Sequence, residues 1–269
     1  MNRLRAGAAL VGKSWRVVRE QPWVISAVAG SLVLSCVTSL GLFVVIFERM
    51  PNSRDGVFPH YLLVFPFLWL VSFINNWCAC LVIVVADARL HDTTITFADA
   101  LRVVAARWWR ILAWTLVAGV VGLVLYVIAE RLKLAGRIVE RVVGLAWSFA
   151  TVFVLPVLVF EDISVSRSIG RSAGLFRKIW VVQVAAGITI ELVGIIAALP
   201  AVVLVVAVGV FSVPLAIVLG VVAFAAFTGA FGALQTVVDV AAYRLASDGL
   251  QSSVFSEDEL RGQYRNAEE

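Results

Sequence analysis

The stretch "RWWRILAW" (residues 107–114) is basic and rich in tryptophan, and it leads directly into an apolar run that ends near Ile128. Similar phrases, "SWRVVREQPW" (14–23) and "LFRKIW" (175–180), also precede apolar runs. Tryptophan rings settle at the boundary between lipid headgroups and acyl chains, and arginine reaches the phosphates from that depth. The repeated phrase therefore predicts helices that lie on a membrane surface and lead into membrane-spanning helices.

The composition is also that of a membrane protein. Of the 269 residues, 61% are hydrophobic and 15% are charged, whereas an ordinary soluble domain is about 25% charged. Apolar runs of roughly 20 residues can cross a hydrocarbon layer about 30 Å thick. The predicted spans are 23–47, 61–86, 108–128, 142–160, 180–199 and a longer stretch, 201–243. We therefore expect an all-α, polytopic transmembrane helical bundle of about six spans arranged as three hairpins.

The stretch 201–243 is too long for one crossing, because a helix of that length would run about 64 Å. Pro214 has no backbone N–H, so we expect a break at "FSVP" (211–214). One interpretation is a single span from about Pro214 to Tyr243, preceded by a re-entrant or bent half-helix. The other is two separate spans.

Basic residues predict the orientation. If both termini are cytoplasmic, sixteen of the 22 lysines and arginines lie on the inner side and six on the outer side, as the positive-inside rule requires. The six outer residues are Arg49, Arg54, Arg131, Lys133, Arg137 and Arg141.

Each inner segment carries one apolar stripe at spacings of 4, 3, 4 and 3, with an aromatic residue in fourth place. This pattern predicts three basic amphipathic helices on the inner leaflet, each followed by a hairpin, in pseudo-repeats near 3–87, 96–162 and 164–245. The alternative is that the three loops are similar without being a repeat, because every inner loop of a membrane protein needs basic and aromatic residues. The predicted lipid-contacting residues, which would meet anionic lipids of the cytoplasmic leaflet, are Trp15, Arg16, Trp108, Arg110, Phe176, Arg177 and Lys178.

The chain divides into one transmembrane helical domain, 1–245, and an acidic cytoplasmic tail, 246–269. In the tail, "FSEDEL" (255–260) places Ser256 as an N-cap and Glu259 as its capping-box partner. The tail is therefore predicted to contain a short helix.

A carboxylate within a span is costly and is a candidate for function. Glu191, in "GITIELVG", lies about 17 Å along its span, and Asn75, Asn76 and Asp239 are further intramembrane polar residues. Three interpretations stay open for Glu191 and the asparagines: hydrogen-bond glue between helices, a substrate or proton site, and an oligomer contact.

Signatures of catalysis are absent from the sequence. It has no nucleophile elbow, P-loop, HExxH or dinucleotide loop, so no catalytic residue is predicted. The three cysteines and two histidines do not form a metal-ligand pattern. We expect no enzyme activity, no metal, no cofactor and no nucleic-acid partner.

Four segments carry a resemblance: "SWRVVREQPW", "LRVVAARWWRILAW" (101–114), residues 144–180 and "AAYRLASDG" (241–249). They resemble an uncharacterised family of bacterial multi-pass membrane proteins, known as a domain of unknown function. "PVLVFED" (156–162) and "SIGRSAGLFRKIW" (168–180) are more distantly similar to the membrane domain that accompanies some glycerophosphodiester phosphodiesterases. The resemblance implies a bacterial cytoplasmic membrane and an all-helical fold, and it assigns no functional residue.

The leading hypothesis is a non-enzymatic integral membrane protein that acts by assembly or by organising lipids or partners at the inner leaflet. It implies a homo-oligomer or a membrane-protein partner. The alternative is a small permease or channel for a solute, ion or lipid, which would use Glu191 in the bundle interior.

Overall fold

The computed structural model describes residues 30, 58–91, 93–131 and 133–247. Within these residues the chain is all-helical, and strands are absent from them. The helices from residue 58 onward are α1 Phe58–Leu90, α2 Phe97–Ala105, α3 Trp108–Arg131, α4 Lys133–Thr151, α5 Val154–Phe160, α6 Val165–Phe211 and α7 Val213–Ser247. Apart from Gly30, the predicted first span lies outside the described residues, as do Trp15, Arg16 and the predicted tail helix.

Five stretches of the described helices are long and apolar enough to cross a membrane. They are Phe65–Leu90, Trp108–Ala129, Gly136–Phe160, Ile190–Phe211 and Leu219–Ser247. Each overlaps a span predicted from the apolar runs, and the all-helical character of the described residues is confirmed. The number of spans and their arrangement as hairpins stay predictions.

The structure bears on the prediction for 201–243 at the expected break. A break does occur where it was expected, because α6 ends at Phe211 and Ser212 is extended, with φ −156° and ψ 105°. The preceding residues, 201–211, continue α6 through Pro200 to Phe211, and whether 201–243 crosses once or twice stays a prediction. A proline is tolerated within a membrane helix, where local adjustment satisfies the carbonyl group that it frees.

The second and third predicted surface helices are separated by breaks from the helical segments that follow them. α2 begins at the N-cap Thr96, whose side chain accepts a hydrogen bond from the Asp99 N–H, and a turn at residues 106–107 separates it from α3. In α6 the break is a kink at Ile179, with φ −132° and ψ 20°. Residues 165–178 therefore form a segment distinct from the span that follows.

The buried core lies at one end of the bundle, which we call the polar end. There the ends of α1, α5 and α7 meet the starts of α2, α3 and α6. At the opposite end, the tip of the α6–α7 hairpin is exposed, with Phe211 90% and Val210 79% accessible. Exposed apolar side chains suit a lipid environment, because lipid tails are as apolar as they are.

Candidate functional site

Charged side chains join distant helices at the polar end. At the end of α1, Asp87 accepts from Nε and Nη2 of Arg244, on α7, at 2.6 and 2.9 Å. The Arg244 guanidinium also lies 4.7 Å from the centre of the Phe160 ring on α5. Both charged side chains are largely buried, with 16% of Asp87 and 22% of Arg244 exposed. The pair therefore ties three helix ends together.

The loop after α5 carries the next two acids. Glu161 accepts from the Nε of Arg171, on α6, at 3.0 Å and from the Tyr243 hydroxyl, on α7, at 3.1 Å. Its neighbour Asp162 forms an ion pair with Arg110, on α3. These contacts hold the loop to three helices, so both acids connect the loop to the rest of the bundle.

Several basic residues of α6 form no ion pair with any acidic residue that the structure describes. Arg167 and Arg177 are exposed, and neither forms an ion pair within the part of the chain that the structure describes. Lys178 is exposed as well, and its Nζ donates only to the Ala246 carbonyl, at 3.4 Å. Arg167 and Lys178 are eleven residues apart, which places them on the same face of a helix.

Three tryptophans lie at the same end and expose much of their surface. Trp108 and Trp109 begin α3 and are 51% and 64% exposed, and Trp180, just after the kink of α6, is 55% exposed. We call Arg167, Arg177, Lys178, Trp108, Trp109 and Trp180 the basic belt. Tryptophans beside arginine and lysine are typical of the level of lipid headgroups.

The predicted lipid-contacting residues of the described chain fall into two groups. Trp108, Arg177 and Lys178 are exposed. Phe176 is only half-buried, yet its ring stacks on Phe149 with 5.0 Å between centroids, and Arg110 binds Asp162. Trp109 and Trp180 were not singled out from the sequence, although both stand in the quoted phrases.

The predicted intramembrane polar residues do not come together as one site. Asn76 donates to Thr115 of α3 at 2.9 Å, and Asn75 lies beside it on α1, half-buried. Asp239 accepts from two amides, those of Gln183, on α6, and of Gln235, one turn earlier on α7. Each set links neighbouring helices.

Glu191 lies apart from these residues. The structure places it on an exposed face of α6, with Leu192 and Ile195. Ile190 and Gly194 are buried on the face that packs against α7. Successive residues of a helix are about 100° apart, so neighbours can face opposite ways. Glu191 is therefore on the surface of the described bundle. The permease hypothesis required it to lie in the interior.

A cleft of about 460 Å³ opens at the polar end between α1, α2 and α5. Its walls are mostly apolar, and its polar lining consists of Asp87, His91, Thr93 and Arg107. The Nε of Arg107 is buried without a hydrogen-bond partner. Residues 58–91, 93–131 and 133–247 offer no group of three or more His, Cys, Asp or Glu for a metal ion.

Comparison with known proteins identifies one relationship. Residues 59–253 match the model of a family described as "Family of unknown function (DUF6159)". Searches of curated proteins and of solved structures find no match. A link to glycerophosphodiester phosphodiesterases is not shown.

Proposed function

We propose that this chain, which belongs to the DUF6159 family of unknown function, is a non-enzymatic integral membrane protein that binds and organises anionic lipids at the inner leaflet. The basic belt is the observation that carries the proposal. It combines exposed cations with exposed tryptophans at one end of the spans, and both groups favour the headgroup region of an anionic membrane.

Charge distribution at the polar end supports this function. Asp87, Glu161 and Asp162 are each bound by a basic residue within the protein, so they do not neutralise the basic belt. Each cation near an anionic surface contributes about 1 kcal/mol of attraction. Three cations held on one short helical segment would therefore enrich anionic lipids around the polar end.

The proposed orientation places the polar end in the cytoplasm of a bacterial cell, with the spans in its cytoplasmic membrane. The excess of lysine and arginine in the segments at this end supports that orientation. A homo-oligomer or a membrane-protein partner stays a prediction.

The permease hypothesis receives no support from the described bundle. It required Glu191 to line a path between hairpins, and Glu191 is on the exposed face of α6. The asparagine and Asp239 contacts link pairs of helices, which is the expected arrangement of polar side chains that stabilise a membrane bundle.

The test compares two triple variants in nanodiscs of equal phosphatidylglycerol and phosphatidylcholine content. The first, Arg167→Gln with Arg177→Gln and Lys178→Gln, removes three charges from the basic belt. The matched control, Arg131→Gln with Arg137→Gln and Arg141→Gln, removes three exposed charges from the opposite end. We expect the lipid extracted with the first variant to contain less phosphatidylglycerol than the lipid extracted with the wild type. The lipid extracted with the control should have the wild-type composition. Equal lipid composition in all three proteins would refute the proposal.

A further inference from the structure

The cleft at the polar end has the character of a binding site for an amphiphilic anion. Its volume, about 460 Å³, falls in the range of small-molecule sites, which are mostly apolar with a few placed polar groups. Valine, isoleucine and phenylalanine side chains of α1, α2, α5 and the loop before α2 form the walls. Such walls can contact a hydrocarbon chain, while the polar groups can bind a polar headgroup.

Arg107 is the residue that points to a ligand. Its buried Nε–H has no partner, and its Nη1 reaches only the Val103 carbonyl, at the long distance of 3.5 Å. Buried donors without a partner are rare in folded proteins, and a bound anion would supply the acceptor that this N–H lacks. The guanidinium therefore retains donors for an incoming group.

The carboxylate in the cleft does not neutralise Arg107. Both oxygens of Asp87 accept from Arg244, so the charge of Asp87 is already balanced. Thr93 is also engaged, since its hydroxyl donates to the Ala88 carbonyl at 2.9 Å. The excess charge of the cleft is therefore positive.

His91 supplies a second nitrogen at the edge of the cleft. Its Nδ1 lies 2.8 Å from the Asp87 carbonyl, and a carbonyl only accepts, so Nδ1 carries the hydrogen. The ring is thereby oriented, and Nε2 is left for a ligand. The side chain is 53% exposed, which leaves the entrance accessible.

We infer that this cleft binds the phosphate of one anionic phospholipid, with Arg107 as the principal donor. The planar guanidinium matches the geometry of a phosphate group, and the apolar walls receive the hydrocarbon that follows it. The inference rests on the proposed function in one respect, namely that the polar end lies at the lipid headgroups. A soluble phosphate ester would share the headgroup chemistry but would not use the apolar walls.

The experiment is native mass spectrometry of the full chain in mild detergent, titrated with phosphatidylglycerol. Arg107→Gln is expected to weaken binding of the first lipid about tenfold, as the loss of a charged hydrogen-bond donor implies. The matched control is Arg102→Gln, in α2, because Arg102 is 81% exposed and pairs with Asp99. The control should bind like the wild type. Equal weakening in both variants, or in neither, would overturn the inference.

A second variant tests the cleft without removing a charge. Val103→Phe adds a ring to the cleft wall and leaves every charge in place, so we expect the tightly bound lipid to be lost. Retention of that lipid would exclude the cleft as its site. Glycerol 3-phosphate is the soluble probe, and it should not displace the lipid at equal concentration. Displacement would overturn the assignment to a lipid and indicate a soluble phosphate ester.

The belt triple variant distinguishes this inference from the proposed function. It leaves Arg107 and the cleft unchanged, so the first phosphatidylglycerol should bind with wild-type affinity. Loss of that first lipid in the belt variant would assign it to the basic belt and contradict the cleft site.

Discussion

Asp87 and Arg244 are 157 residues apart in sequence and form two hydrogen bonds in the structure. Neither is more than a quarter exposed, so each would be costly to leave without the other. At the scale of single residues, the polar end is thus stabilised by a few charged contacts between helix ends. Because these contacts pair some basic residues with acids, only the remaining basic residues can contact lipid headgroups.

The first prediction concerns this pair. Asp87→Asn should lower the free energy of unfolding by about 2 kcal/mol, because Arg244 keeps its charge without a carboxylate. Denaturant unfolding in detergent measures the change, and Arg244→Gln with the double variant completes a mutant cycle. We expect the double variant to lose less than the sum of the single losses. Additive losses would mean that the two residues do not stabilise each other.

At the scale of elements, side-chain contacts define the helix ends and the helix pairs. The break between α4 and α5 leaves the Phe153 N–H without an intrahelical acceptor, and the hydroxyl of Ser172, on α6, accepts from it at 3.0 Å. The α6–α7 pair has a similarly local determinant. A side chain at Gly194 would meet the Phe231 ring at 3.1 Å.

The second prediction tests the α4–α5 break. Ser172→Ala should lower the free energy of unfolding by about 1 to 3 kcal/mol, because the buried Phe153 N–H loses its acceptor. Ser168→Ala is the control, since Ser168 is equally buried but donates within its own helix, to the Val165 carbonyl. Thermal unfolding should separate the two variants. Equal shifts would indicate that the loss comes from the cavity alone.

The third prediction tests the α6–α7 contact. Gly194→Val should destabilise the protein by about 1 to 3 kcal/mol, because the added methyl groups overpack against Phe231. Gly187→Val, on the same helix, is the control, since a Cβ at Gly187 meets nothing within 4 Å. Unfolding curves of both variants give the comparison. A larger loss at Gly187 would contradict the packing of α6 on α7.

At the scale of the whole molecule, the apolar runs predicted the all-helical fold and the break before Pro214, and each of the five stretches long and apolar enough to cross a membrane overlaps a predicted span. They did not predict that α6 continues through Pro200. Sequence position placed Glu191 along its helix, but the direction in which it faces depends on how α6 packs on α7. Likewise, the Arg110–Asp162 pair joins residues 52 apart, and periodicity within one segment contains no information about such contacts.

The fourth prediction concerns the orientation of the whole chain. In a variant without cysteines, Ser212→Cys, at the turn between α6 and α7, should react with a membrane-impermeant maleimide in intact cells. Ser166→Cys, exposed near the start of α6, should react only after permeabilisation. The reverse pattern would place the polar end outside the cell and would contradict the proposed orientation.

The most direct measurement of lipid organisation is the lipid content of the wild-type protein extracted in native lipid nanodiscs from a bacterial host. Native mass spectrometry of the particles gives both the bound lipids and the number of protein copies. We predict phosphatidylglycerol and other anionic phospholipids well above their share of the host membrane. Lipids in the same proportions as the host membrane would contradict the account, because the basic belt would then have no preference for anionic headgroups.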